Sequence, residues 1–169
     1  MTFKEIIQTL PKHMLDKLLE LKKLRERPDY HPEPSAWHHV NIVTNRCIQH
    51  GDKDLICTGI FHDIHKLDTM HINPKSGFPT SPGHDKMAKE TIDNDQEVRD
   101  WISNFGADPD TVANLCGQHM RLHQLGEMKK AKQDKMRALP FFGKLSIFGI
   151  FDNMLLTDKQ AFDEVKQKR

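Results

Sequence analysis

Apolar residues recur at intervals of three and four along nearly all of this 169-residue chain, and runs that alternate apolar with polar are almost absent. The first spacing puts side chains on one stripe of an α-helix, whereas alternation would put them on one face of a strand. The fold class this implies is all-α, a single-domain helical bundle over residues 1–169. A chain of that length can bury about two-thirds of the surface its unfolded form exposes, enough for a core without disulfide or metal staples.

Helix boundaries follow from capping chemistry. Ile6, Ile7, Leu10, Met14, Leu18, Leu21 and Leu24 form one stripe and predict a first helix over 3–25, ended by the prolines of "RERPDYHPEPS" and packed on a core formed by 35–159. A second helix is expected over Ala36–His50, stopped by Gly51, with Asp52 capping a third that carries "LICTGIFHDIHKLD". Residues 64–82 include "NPKSGFPTSPG", lack periodicity and read as a long loop suited to covering a site. Ser81 and Pro82 predict the start of a fourth helix, and further helices are expected over Gln96–Phe105 and from Asp108-Pro109 onward. After a polar stretch at 126–137, a last helix over Lys144–Lys159 should turn Leu145, Phe148, Leu155 and Leu156 inward.

Charge says little about partners, with 25 Lys+Arg against 24 Asp+Glu. The basic runs "KKLRER" and "KKAKQDKMR" contain acids and few aromatics, so they read as solvated helix faces and tight nucleic-acid binding is not expected. No apolar run approaches the roughly 20 residues of a membrane span and the first residues lack a signal-peptide pattern, so no membrane association and a cytoplasmic location are expected. Cys47, Cys57 and Cys116 are far apart within apolar helical patterns and read as small buried hydrophobes. The compositional outlier is histidine, at 11 copies.

Helical spacing puts four polar residues on apolar faces. His39 shares a face with Val43 and Cys47, Asp63 continues Ile56 and Ile60, His119 continues Val112, Leu115 and Cys116, and Asp152 lies in the row Leu145, Phe148, Asp152, Leu155. An unpartnered buried carboxylate is costly enough to change its protonation state. Two histidines and two aspartates facing inward from different helices meet the requirements of a divalent metal site, and imidazole with carboxylate suits Mn, Fe, Co, Ni or Zn. Taken singly, each histidine also fits an ordinary hydrogen-bonded core role, as does a helical interaction module without metal. His13, His31, His50 and His71 read as surface or helix-end residues, and Phe78 either stacks on a base or pins the loop.

The ordered set "WHHVNIV", "FHDIHK", "GHD", "LCGQHMRLH" and "FGIFD" resembles the HD-domain superfamily of metal-dependent phosphohydrolases over residues 35–158. "GHDKMAKE" and "CGQHMRLH" look most like the HD domain attached to bacterial CCA-adding tRNA nucleotidyltransferases. The resemblance implies His39 rather than His38, His62, Asp63 and Asp152 as metal ligands, with His84 and His119 as further groups that hold a second metal or contact phosphate. It implies one or two divalent transition-metal ions, with Mg as a companion in some relatives. It makes Asp63, Lys66, His84 and His119 the catalytic candidates and Lys66, His84 and Arg121 the phosphate-binding ones. The implied reaction is phosphoester hydrolysis on a phosphorylated nucleotide or an RNA end carrying a 2′,3′-cyclic or terminal phosphate. Relatives that cleave dNTPs, nucleoside monophosphates or guanosine alarmones, relatives that use two irons for oxygenase chemistry, and a non-catalytic binding module are the alternatives. The chain departs from the family at His65, where glycine is common, which would place either a strained turn or an extra imidazole beside the site.

Overall fold

The computed structural model describes residues 1–168, and among them ten α-helices and one very short hairpin surround a single contiguous apolar core. The N-terminal stripe is buried throughout, but the helix that carries it is not continuous. It divides into α1 (Phe3–Ile7) and α2 (Lys12–Glu20), followed by a single 3₁₀ turn, Leu21–Lys23. Pro11 sits at the cap of α2, and a proline disfavours helical backbone in the residue before it, here Leu10.

The central pair forms as the caps predict. Ser35 caps α3 (Ala36–His50), Gly51 ends it at φ 90°, and Asp52 accepts a hydrogen bond from the Leu55 N–H to open α4 (Lys53–Phe61). Only a glycine reaches that left-handed backbone without strain. The two helices then pack so closely that a Cβ on Gly59 would lie 2.8 Å from Thr44 Oγ1 and 3.1 Å from Thr44 Cα. α4 thereby feeds His62 and Asp63, in the turns that follow it, into the interior.

The 64–82 segment is a chain of turns closed by the two-residue strands β1 (His71–Ile72) and β2 (Pro79–Thr80), paired antiparallel. The next helix, α5 (His84–Asn94), starts two residues later than Ser81-Pro82 would have it. Gly83, at φ 81°, stands at its cap, while the Ser81 hydroxyl donates to Lys66 O and ties the loop to the site. α6 (Gln96–Phe105) has the expected span, with Asp95 at its cap, and Asp108 caps α7 (Pro109–His123) as expected. The polar 126–137 stretch forms a helix, α8 (Lys130–Arg137), with Met136 as its buried residue.

The last expected helix is two: α9 (Phe142–Asp152) and α10 (Asp158–Gln167). Leu155 therefore turns outward, 62% exposed, instead of joining the core. The break is held by Arg46 of α3, which is 4% exposed. Its guanidinium donates to Phe151 O, Asn153 O and Leu156 O, and its Nε pairs with Asp158 Oδ1 at 2.8 Å. A buried cation satisfying carbonyls at a helix C-terminus replaces the bonds the helix would otherwise make to itself. Arg46→Met should lower stability by about 1–3 kcal/mol, because it leaves buried carbonyls without a donor, while Asp158, at the surface, is solvated by water. Urea denaturation followed by circular dichroism checks this.

Candidate metal centre

The six inward polar residues meet in one place, and their imidazoles share one arrangement. His62 Nδ1 donates to Gly59 O at 2.9 Å, His84 Nδ1 to Ser81 O at 2.6 Å and His119 Nδ1 to Cys116 O at 2.6 Å, each to a carbonyl three residues back. His39 Nδ1 lies 2.9 Å from Glu33 Oε1. A carbonyl only accepts, so the bonded nitrogen carries the proton and each Nε2 keeps a lone pair for the interior.

Those nitrogens face one another across the carboxylates. His39 Nε2 and His62 Nε2 are 3.3 Å apart, as are His84 Nε2 and His119 Nε2. Asp152 Oδ1 lies 2.8 Å from His39 Nε2 and 3.3 Å from His62 Nε2, completing the triad His39, His62, Asp152. Asp63 completes the other triad, with Oδ1 at 3.1 Å from His84 Nε2 and 3.5 Å from His119 Nε2. Its Oδ2 turns to the first triad, 3.3 Å from His62 Nε2 and 3.5 Å from His39 Nε2. Lys66 Nζ is 2.9 Å from that oxygen but makes no well-aligned hydrogen bond to it, so Oδ2 is a buried acceptor without a hydrogen-bond donor. Facing lone pairs and an orphaned carboxylate oxygen fit a cation between them, and the buried clusters can hold a metal ion.

The same carboxylates hold protons where no metal competes. Burial by itself would lower His39, but hydrogen bonds to Asp152 and Glu33 raise it to about 9. Burial is likewise outweighed at His62, where the charges of Asp63 and Asp152 raise it to about 10. Burial would raise both carboxyl groups, yet His62 above all holds Asp63 and Asp152 well below the ordinary carboxylate range. His119 is pushed down by burial. Lys66, wholly buried, is kept charged by Asp63 and by Glu26, whose Oε1 is 2.6 Å from Nζ.

The structure separates the expected residues. His39 is the inward member of its pair, whereas His38 is exposed and bonds Ser35 Oγ through Nδ1 at 2.8 Å. His62, Asp63, Lys66, His84, His119 and Asp152 converge, and Lys66 lines a cavity of about 660 Å³ with His39, Asp63, His84, His119 and Asp152. Arg121 is exposed on α7 and does not line that cavity. Two residues after His119, it is turned about 200° around the helix. His65 is buried but stays out of the site, its Nδ1 2.6 Å from Asp68 Oδ2 and its Nε2 2.6 Å from Thr91 Oγ1. Among the described residues no non-glycine has a positive φ, so His65 carries none of the backbone strain that its place in the expected motif suggested.

Four participants were not anticipated. Glu33 Oε1 bridges His39 Nδ1 and His31 Nδ1, and these bonds outweigh burial to hold its carboxyl near a pKa of about 2. Glu26 holds Lys66. His31 is half-buried against His39, not a surface residue, with ring centroids 5.0 Å apart. His123 Nε2 lies 3.0 Å from Asp152 Oδ2 at the cavity wall, and its position four residues after His119 was the available signal.

No protein-family model, curated protein or solved structure matches the chain. Among the described residues no helix is long and apolar enough to cross a membrane.

The titrations give a signed expectation for chelator-treated protein. Raised imidazole pKa values stabilise the fold fully below the unfolded value of 6.5, and that contribution is lost as pH rises through 9 and 10. Depressed carboxyl values stabilise above the unfolded 3.8 and are lost as pH falls below it. The metal-stripped chain should therefore melt highest between about pH 4 and about pH 6.5, with Tm falling toward pH 10, and added metal should flatten the alkaline decline. Thermal melts at pH 4–10 with and without metal check it.

Proposed function

We propose that the chain is a metal-dependent phosphohydrolase of the HD type, acting on the phosphoester of a nucleotide or of an RNA end. The observation that carries this reading is the convergence of four imidazole Nε2 atoms and two carboxylates beside a cavity that His39, Asp63, His84, His119 and Asp152 line together with the buried Lys66, His62 lying behind them. His39, His62 and Asp152 would hold one ion and His84 and His119 a second, with Asp63 offering one oxygen toward each. The donor set suits Mn, Fe, Co, Ni or Zn. When bound, such an ion brings the pKa of a coordinated water to about neutrality and polarises the phosphoryl group.

The chain's own residues then have definite tasks. Glu33 fixes the His39 ring and its tautomer, and the carbonyls of Gly59, Ser81 and Cys116 do the same for the other three imidazoles. That tautomer makes His84 and His119 ligands rather than proton donors to a leaving oxygen. His123 orients Asp152 from its other oxygen. Lys66, held between Glu26 and Asp63, is in place to neutralise charge on the phosphoryl oxygens before a substrate arrives.

Among the described residues, Arg27 and Lys66 are the only Lys or Arg side chains lining the cavity. That favours a monoester or cyclic diester over a dNTP or an alarmone, whose polyphosphate calls for more countercharge. The test is phosphate release from nucleoside monophosphates, 2′,3′-cyclic nucleotides and dNTPs by the full chain loaded with Mn, Co, Ni, Zn or Fe. Wild type should hydrolyse a monophosphate or cyclic ester, Asp63→Asn should abolish turnover, and Lys66→Met should lower kcat about 10²-fold. Absence of hydrolysis with every metal would overturn the reading, and oxygen uptake by the iron-loaded chain would point instead to the two-iron chemistry.

A further inference from the structure

The end of the cavity formed by residues 26–31 and 73–80 is built differently from the metal-ligating wall. Tyr30, the chain's one tyrosine, is 61% exposed there, and Phe78 is 37% exposed beside the hairpin turn. The two rings meet one cation rather than packing away: Arg27 Cζ is 5.5 Å from the Tyr30 ring centroid and 5.7 Å from that of Phe78. Asp29 Oδ2 accepts from Arg27 Nε at 3.0 Å and from Nη2 at 2.8 Å, which orients the guanidinium plane. Large aromatics left in water at the rim of a polar cavity lose the benefit of burial, so their placement calls for a partner. Aromatic rings with an arginine are the groups that stack nucleobases, since every base offers a π-face.

We propose that Tyr30, Phe78 and Arg27 form a base-stacking clamp, so that the substrate is a nucleoside monophosphate or a single unpaired terminal nucleotide, with its base on the clamp and its phosphate at the histidine wall. This rests on the phosphohydrolase reading and deepens it. A cavity of about 660 Å³ has room for one such unit. The clamp explains how a site with little countercharge holds its substrate: affinity comes from stacking, and the phosphate is left to the reacting centre.

The test separates the clamp from the chemistry by using phosphonates that cannot be hydrolysed, with a methylene in place of the bridging ester oxygen. The 5′ and 3′ phosphonates of adenosine and the 5-phosphonate of ribose are titrated calorimetrically into the manganese-loaded full chain, as wild type and as Tyr30→Ala/Phe78→Ala. Wild type should bind one adenosine phosphonate about 5- to 150-fold more tightly than the ribose compound, and the double variant should lose that margin while ribose affinity holds. Equal affinities in wild type, no adenosine binding, or a variant that weakens both ligands alike would overturn the clamp. Binding with the expected margin but no hydrolysis of the parent phosphates would leave the clamp standing and remove the hydrolase.

Discussion

A carboxylate sits in the interior of this protein within 3.5 Å of four imidazole nitrogens, and much of the surrounding structure answers that fact. Asp63 is 1% exposed, and an isolated charge at that depth would cost several kcal/mol. The fold offsets this cost by bringing positive or electron-pair-bearing groups to it from α3, α5 and α7 and from the turns after α4. The result is one oxygen directed at each of two histidine pairs. This symmetry about Asp63 groups the buried histidines into two clusters that could each hold a metal ion and that share a member.

Rigidity comes from the layer behind the ligands. Every imidazole in the two triads has its outer nitrogen occupied, three by carbonyls of their own helical turn and one by Glu33. Asp152 is fixed from three sides: by His39, by His123, and indirectly by Arg46, which binds the carbonyls flanking it. The close approach of α3 and α4 at Gly59 sets the spacing between His39 and His62. A cluster supported in this way has its geometry fixed in advance, as the proposed metal centre and its chemistry would require.

Much of this was legible in the sequence wherever the signal was local. Caps placed the end of α3 and the starts of α4 and α7, because Gly51, Asp52 and Asp108 act on backbone groups within a few residues. His39, Asp63, His119 and Asp152 were legible because a polar residue on an apolar helical face contradicts its surroundings, whereas His62 and His84 were expected only from the family resemblance. Features made by distant contacts were not. The break between α9 and α10 depends on Arg46, more than 100 residues away, and nothing in the row Leu145, Phe148, Asp152, Leu155 announces it. Glu26, Glu33 and His31 lie in a proline-rich loop with no periodicity, so their pairing with Lys66 and His39 appears only in the folded chain. His65 shows the opposite case: the resemblance suggested a strained turn or an extra imidazole beside the site, and its bonds to Asp68 and Thr91 hold it away from both.

The two triads around Asp63 are proposed to hold two ions. The direct measurement is metal content per chain by plasma mass spectrometry after reconstitution, on wild type, His39→Ala, His84→Ala and Asp63→Ala. Two ions per wild-type chain, one after loss of His39 or His84 and none after loss of Asp63, is the predicted result. Wild-type protein that retains no Mn, Fe, Co, Ni or Zn after gel filtration would contradict it.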